Sequence, residues 1–284
     1  AAGPARRASS RQPPIAFESR ADRSSGSITL PRSHRESGTW ESNRRTARQP
    51  NRFCNRWGCP NSWREGGRCI AGKISEGERT GEWIRPVRAA GTEAIVAPHL
   101  NYEDGAPVRI LDIFDVHLIQ PAPAGHQVEN HVIEKSSLWR RVRQTTFEEC
   151  RQFLDSQDRP LWPDAESTFH GINDKVPEAT VAQTTDSLRL IQPASATFRV
   201  ASETQYEGPP QTAVRATFDL AGSRYRLKIT DPEASHKFES LGQGEHTVHA
   251  PLLCISLSGI FNGFSYRLVA GVILTEPTSV DNIE

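Results

Sequence analysis

Two neighbouring runs of residues alternate between apolar and polar side chains, and this alternation restricts them to β-strands. They are residues 213–220 and 224–230, separated by the short turn Ala221-Gly222-Ser223. Alternation with period two places the apolar side chains on one face of a strand, and a glycine-containing turn of this length joins antiparallel strands. The sequence therefore predicts a β-hairpin here and a sheet around it.

Further strands are predicted on both sides of this hairpin from alternation and from β-branched or aromatic content. Residues 109–119 form the longest such run in the first half, and it ends at Pro121 because proline cannot donate to a strand ladder. The other predicted strands are residues 68–74, 82–87, 188–191, 197–200, 252–257 and 266–274. Both halves of the chain are therefore expected to be mainly β.

A helical insert is predicted between these halves. Residues 136–157 place apolar side chains at helical spacing, which favours helix over strand. Thr145 or Thr146, followed three residues later by Glu148 or Glu149, fits a capping box. Because a capping box marks a helix start, we expect two short helices in this range.

Asp231-Pro232-Glu233 has two explanations. Together with Lys237 it resembles part of a nuclease carboxylate set, but no further carboxylate lies at a suitable spacing. Aspartate at the N-cap with proline at the first helical position is typical of a helix start. We therefore predict a short helix from Asp231 to about Phe238.

The first 62 residues differ in charge from the rest of the chain. They contain twelve arginines, no lysine and four acidic residues, a net charge of +8, whereas the remaining residues contain 22 basic and 30 acidic ones. A basic arm could bind nucleic acid or mask the acidic body. However, the arginines are scattered among Ser, Pro and Gly without periodicity, and methionine is absent from the whole chain. We expect residues 1–60 to be a disordered tail, much of it upstream or out-of-frame sequence.

Targeting and cysteine signals are sparse. No run of eighteen apolar residues occurs, and the first thirty residues lack the apolar stretch of a secretory signal. None of the cysteines forms a C-x-x-C pair, which argues against a disulfide framework or a structural zinc site; they are Cys54, Cys59, Cys69, Cys150 and Cys254. The sequence predicts an intracellular, cytoplasmic protein with free thiols and no membrane contact.

Catalytic motifs are also sparse. His126 and His131 have no second pair of ligands at metal spacing, so satisfied or surface histidines explain them better. Gly242-Gln243-Gly244 lacks the strand and helix context of a phosphate-binding loop. We therefore expect a protein that is not an enzyme, with no catalytic residues, no metal and no cofactor.

Eight short segments follow one another along the chain in an order that is found in a known family. They are residues 67–72, preceded by Asn61-Ser62, and residues 81–87, 111–113, 121–123, 129–130, 188–191, 230–232 and 261–270. Together they resemble the dual OB-containing domain family of bacterial conflict and defence systems, over residues 61 to about 275.

This resemblance implies two OB-like β-barrels and a role in sensing nucleic acid. The expected division is a tail at residues 1–60, a first barrel at 61–135, a helical linker at 136–185 and a second barrel at 186–284. Family members begin with an apolar strand before the Asn-Ser pair, whereas residues 52–60 here make a poor strand. The first barrel is therefore expected to lack its opening strand.

An OB barrel binds single strands by combining a positive groove with aromatic side chains on which bases stack. In the first half, Trp83 and Arg85 lie on one strand face opposite Ile84, so we expect them to be exposed together and to bind nucleic acid. If Leu227 is in the core, Tyr225 is expected there too. The other expected nucleic-acid contacts are Arg68, Arg226, Lys228, Tyr266 and Arg267.

The expected function is thus non-catalytic recognition of single-stranded or structured nucleic acid, as a sensor in a bacterial defence system. A protein-interaction module that tethers an effector enzyme through its sheet edges is an alternative. A hydrolase whose site is not visible in the sequence is a third hypothesis.

Overall fold

The computed structural model describes residues 51–57, 67–89, 94–163, 165–204 and 208–275, and for residues 51–57 it describes the backbone alone. The expected disordered tail therefore lies outside the described residues, except for residues 51–57.

The first sheet closes into a barrel through one bent strand. Its strands are β1 (Asn51–Trp57), β2 (Ala71–Ile74), β3 (Trp83–Val87), β4 (Asp112–Val116), β5 (Leu118–Pro121) and β6 (Asn130–Ile133). β1 pairs with β2, β2 pairs with β3, and β3 runs parallel to β6. β4 and β5 are the two halves of the bent strand, interrupted only at His117. β4 pairs with β1 and β5 pairs with β6, so five pairings complete a ring.

The second sheet repeats this topology. Its ring consists of β10 (Ser195–Glu203), β11 (Gln211–Leu220), β12 (Ser223–Ile229), β13 (Gly244–His249), β14 (Leu252–Leu257) and β15 (Phe264–Ile273). β10, β11 and β12 form an antiparallel meander, and β12 runs parallel to β15. The bent strand is β13 with β14, of which β13 pairs with β10 and β14 with β15. A five-stranded ring in this order is the OB topology, so the prediction of a mainly β chain with two OB barrels is confirmed.

The remaining elements border the rings. β7 (Arg140–Gln144) pairs with β4, β8 (Lys175–Pro177) with β15, and β9 (Leu188–Ile191) with β14. The helices are α1 (Phe147–Arg151), α2 (Glu178–Val181) and α3 (Pro232–Ser240). None of the helices within the described residues is long and apolar enough to cross a membrane.

Each barrel has its own core, and a third core lies between them. Phe114 and Trp139 stack in the first barrel with ring centroids 4.9 Å apart, and Phe198 stacks on Phe238 of α3 in the second at 4.0 Å. The third core joins first-barrel residues, such as Ala71 and Trp83, to second-barrel residues; the latter include Leu188, Leu190, Leu252 and Cys254. The two barrels therefore share a buried apolar interface.

The predicted helix starts are confirmed in two places. Thr146 and Glu149 form a reciprocal capping box at α1. Asp231 caps α3 by accepting hydrogen bonds from the backbone N–H groups of Glu233 and Ala234. These starts were predictable because their hydrogen bonds are local in sequence.

Two helices were predicted in residues 136–157. The prediction of the first one is wrong, because residues 140–144 form strand β7. Trp139 is buried against Phe114, whereas Leu138 and Val142, which helical spacing placed beside it, are exposed. β7 covers the edge of β4, and arginines on β7 pair with acidic side chains of β4. Pairing with the edge of β4 therefore determines the conformation of residues 140–144, although their apolar residues have helical spacing.

The expectation of a missing opening strand is also wrong. β1 lies between β2 and β4, and its backbone pairs with both. A closed ring needs a strand at this position, and residues 51–57 supply it despite their poor local strand pattern.

Candidate functional site

Two of the first-barrel residues expected to bind nucleic acid, Trp83 and Arg85, face the second barrel instead. Trp83 is half-buried, and its indole N–H donates to Asp155 Oδ2 at 3.0 Å. The ammonium of Lys73 lies 5.1 Å from the Trp83 ring centroid and donates to Asp155 Oδ1 at 2.5 Å. Asp155 Oδ2 also accepts from the backbone N–H of Leu190 on β9. Trp83 therefore belongs to the joint between the barrels.

Arg85 is also part of this joint. It is only 6% exposed and forms an ion pair with Glu129, with 2.9 Å between Nη2 and Oε1. The same guanidinium donates to the hydroxyl of Ser187 at 3.0 Å, and that hydroxyl also bonds to Glu129. The expectation that Trp83 and Arg85 are exposed together is wrong, because the second barrel covers the β2–β3 face.

Arg68 is exposed, and its backbone pairs with Ile95. It lies on the first barrel and is not among the residues that line the cleft of the second barrel. The structure therefore does not bring Arg68 together with the predicted residues of the second half.

A cleft of about 780 Å³ opens on the β11–β12–β15 face of the second barrel. Its floor comes from these three strands, and its walls come from the loops after β10 and β14 and from a segment before β8. The lining residues are Thr168, Phe169, His170, Asp174, Thr204, Arg215, Lys228, Phe261, Asn262, Tyr266, Arg267 and Leu268. Lys228, Tyr266 and Arg267 are thus predicted residues that the structure does bring together.

The cleft floor carries several cations. Arg215 is buried and makes a two-pronged ion pair with Glu203, with nitrogen–oxygen distances of 2.6 and 2.9 Å. Burial opposes ionisation of Glu203, but the bonds from Arg215 hold its pKa below the ordinary value. The charge of Lys228 also acts on Glu203, but within the described part of the chain the Lys228 ammonium has no hydrogen bond or ion pair at contact distance. Lys228 is therefore the cation most available to a ligand.

Arg267 was expected to contact nucleic acid, but its side chain is fully buried. It donates to the carbonyl of Trp162 at 2.6 Å and to the carbonyl of Asn173 at 2.8 Å. Desolvation lowers the pKa of Arg267 to about 10, so the group stays a cation at neutral pH. The expected surface role is wrong because this guanidinium holds backbone carbonyls inside the barrel.

Alternation correctly predicted which residues of β12 face outward. Tyr225 and Leu227 are buried, and the Tyr225 hydroxyl accepts from the backbone N–H of Leu161. Arg226 and Lys228 lie on the opposite face, half-buried. Arg226 Nε approaches Thr217 Oγ1 at 3.4 Å and does not line the cleft, so Lys228 is the residue of this pair that faces it.

Two aromatic residues of the cleft, Phe169 and Phe261, were missed by sequence analysis. Phe169 is 91% exposed and Phe261 is 64% exposed, and both line the cleft beside the half-buried Tyr266. His170 packs its edge on Phe169, with 4.8 Å between centroids. One available signal was the position of Phe261 between Gly259 and Gly263, in a turn where an apolar side chain has no core to enter.

The described residues contain no cluster of side chains that could hold a metal ion. No three His, Cys, Asp or Glu side chains within them come together as metal ligands would. His126 and His131 bond to the backbone carbonyls of Ser258 and Glu129, respectively. Burial lowers the pKa of both histidines, which favours neutral imidazoles. The arrangement of the cleft suits binding by stacking and charge.

A family model described as the dual OB-containing domain matches residues 59–272, about three quarters of the chain. The match includes every strand from β2 to β14 and nearly all of β15. No curated protein and no solved structure matches the chain at a significant level.

Proposed function

The chain belongs to the dual OB-containing domain family, and on that premise we propose that it is a non-catalytic recognition module that binds single-stranded nucleic acid in the cleft of its second barrel. OB folds bind oligonucleotides on the face of their second and third strands and on the loops after the first and fourth. In the second barrel these elements are β11, β12 and the loops that contain Thr204 and Phe261. The cleft occupies this position, and that observation carries the proposal.

The chemistry of the cleft supports a single strand as the ligand. Bases stack on exposed aromatic rings, and each such contact is worth about 1 to 3 kcal/mol. Phe169 and Phe261 offer such rings, and Lys228 offers an ammonium that makes no hydrogen bond or ion pair with the described residues and could meet a backbone phosphate. Residues 63–284 carry more acidic than basic residues, so the attraction is local to the cleft.

The two barrels differ in what covers this face. In the first barrel the equivalent β2–β3 face packs against the second barrel through Lys73, Trp83 and Arg85. In the second barrel the face is open to solvent. The protein is therefore proposed to have one nucleic-acid site although it has two barrels.

The resemblance to the family further supports a sensor role in a bacterial defence system. Such a role needs an effector that responds to the bound strand. A nuclease or helicase gene beside the gene for this protein is the expected genomic arrangement, and its absence across many genomes would contradict the sensor role.

A protein-interaction module is the second candidate function, and strand β7 favours it. All five of its residues are exposed, and among the described strands it pairs only with β4. An open strand edge can accept an extended segment of another protein. Co-purification of a partner protein without nucleic acid, lost on substitution of β7, would favour this candidate.

Replacing Lys228 with alanine is expected to weaken binding of fluorescein-labelled oligothymidylate and oligouridylate of about twelve nucleotides. For a single strand, one lost phosphate contact reduces the magnitude of the slope of log affinity against log salt by about 0.7, and it weakens all sequences alike. Titrations of the full chain at several salt concentrations measure both effects.

Lys237→Ala is the matched control, because Lys237 is an exposed lysine on α3 that does not line the cleft. If Lys228→Ala and Lys237→Ala weaken oligonucleotide binding equally, the nucleic-acid site does not lie in the cleft. Absence of any binding by the unsubstituted protein at low salt would overturn the proposal.

A further inference from the structure

Residues 165–174, here called the clamp loop, lie outside both five-stranded rings yet form one wall of the cleft. The OB topology itself supplies only the floor and the loops after β10 and β14. The clamp loop contributes Thr168, Phe169, His170 and Asp174 to the lining. A segment that comes from outside the barrel can therefore shape what the barrel binds.

The clamp loop is held in place by a buried carboxylate. Asp174 Oδ1 accepts from the backbone N–H of Thr168 at 2.7 Å, and Oδ2 accepts from the Thr168 hydroxyl at 2.6 Å. Arg215 Nη1 lies 3.6 Å from Asp174 Oδ2. Because Arg215 is itself paired with Glu203 on β10, the loop is tied to the barrel floor by charge as well as by hydrogen bonds.

Close packing and backbone pairing fix the loop further. A β-carbon added at Gly171 would lie 1.8 Å from the Asp174 carboxylate, so a larger residue there would displace that carboxylate. Ile172 exchanges backbone hydrogen bonds with Arg226 on β12, at 3.0 and 3.2 Å. Asn173 Nδ2 donates to the carbonyl of Arg224. The loop is therefore built as a fixed wall of the cleft.

This wall presents Phe169 almost entirely to solvent. A large apolar side chain with 91% exposure gains nothing from the core, although the loop that carries it is fully anchored. Phe261 is likewise exposed, in the loop between β14 and β15, and lines the same cleft. The fixed loop and the two exposed rings together point to a ligand with flat apolar faces.

We infer that the clamp loop makes the cleft a short base-stacking slot, which takes a run of about four unpaired nucleotides, the lower end of the range for one OB fold. This inference rests on the function proposed above. Three rings, those of Phe169, Phe261 and Tyr266, are available for stacking in a space of about 780 Å³. Bases in a duplex already stack on each other, so a paired ligand cannot offer its faces to these rings.

Oligothymidylates from two to about twelve nucleotides test the footprint. The affinity of the full chain is expected to rise up to about four nucleotides and then to level off. Phe169→Ala is expected to weaken every bound length by about 5- to 150-fold, which corresponds to one lost stacking contact. A fully paired hairpin is expected not to compete.

Leu138→Ala is the matched control, because Leu138 is an exposed apolar residue outside the cleft. Gly171→Ala, whose methyl group would displace Asp174, is expected to weaken the same oligonucleotides without removing a ring. If Phe169→Ala behaves like Leu138→Ala, or if affinity keeps rising to twelve nucleotides, the short slot is wrong while binding at Lys228 stands. If the unsubstituted protein binds no oligonucleotide, both proposals fail.

Discussion

Replacing Arg85 with methionine is expected to lower the free energy of unfolding by about 3 to 5 kcal/mol, the usual cost of breaking a buried ion pair. The substitution leaves the Glu129 carboxylate buried without its cation, and the hydroxyl of Ser187 loses the guanidinium as a donor. Denaturant unfolding followed by tryptophan fluorescence measures this loss. The affinity of the folded protein for a single strand is expected to stay unchanged, because Arg85 does not line the cleft.

Arg79→Ala is the control for this experiment, because Arg79 forms an exposed ion pair with Glu82 on the same barrel. Such pairs contribute less than about 1 kcal/mol. The double substitution Arg85→Met and Glu129→Gln removes the buried charge and is expected to recover part of the lost stability. An Arg85→Met protein that is fully stable but does not bind nucleic acid would contradict the joint described here.

Most of the elements that the sequence predicted correctly follow from local patterns of residues. The hairpin of β11 and β12 follows from alternation, and Asp231 follows from the chemistry of helix caps. These features depend on neighbours within a few residues, so one sequence is enough to predict them. β1 and β7 were not predictable in this way, because a ring and a strand edge impose their pairing on segments with weak strand patterns.

The candidate site depended on contacts that are distant in sequence. Alternation correctly placed Trp83 and Arg85 on the same face of one strand. However, alternation does not predict which part of the molecule covers that face. Lys73 and Asp155 are separated by 82 positions, and Arg85 and Ser187 by 102. An arginine buried by a second barrel and an arginine at an open groove therefore look alike in the sequence.

The same reasoning explains why Phe169 was missed and Arg267 was misplaced. Phe169 lies in a polar connection with no periodicity, so nothing in the sequence marks it as part of the second barrel. Arg267 lies on a strand whose neighbours alternate, but its guanidinium reaches back about a hundred residues to Trp162. Only the path of the chain across the barrel shows that these two residues belong to one cleft.

Replacing Arg267 with methionine is expected to detach the clamp loop and to lower the free energy of unfolding by about 2 to 6 kcal/mol. The guanidinium bonds to Trp162 before the loop and to Asn173 at its end, so both ends lose a donor together. Each buried carbonyl left without a donor costs about 1 to 3 kcal/mol. Hydrogen exchange in residues 165–174 is expected to become faster, which mass spectrometry measures directly.

Measurements of binding affinity distinguish detachment of the clamp loop from a general loss of stability in Arg267→Met. At a temperature where Arg267→Met is still folded, its affinity for a four-nucleotide strand is expected to fall to that of Phe169→Ala, since the ring of Phe169 is no longer held at the cleft. Arg224→Met removes an exposed arginine of β12, paired with Asp219, and is expected to change neither exchange nor affinity. Unchanged protection of the loop in Arg267→Met would contradict this prediction, because it would show that the bonds made by Asp174, Ile172 and Asn173 hold the loop without Arg267.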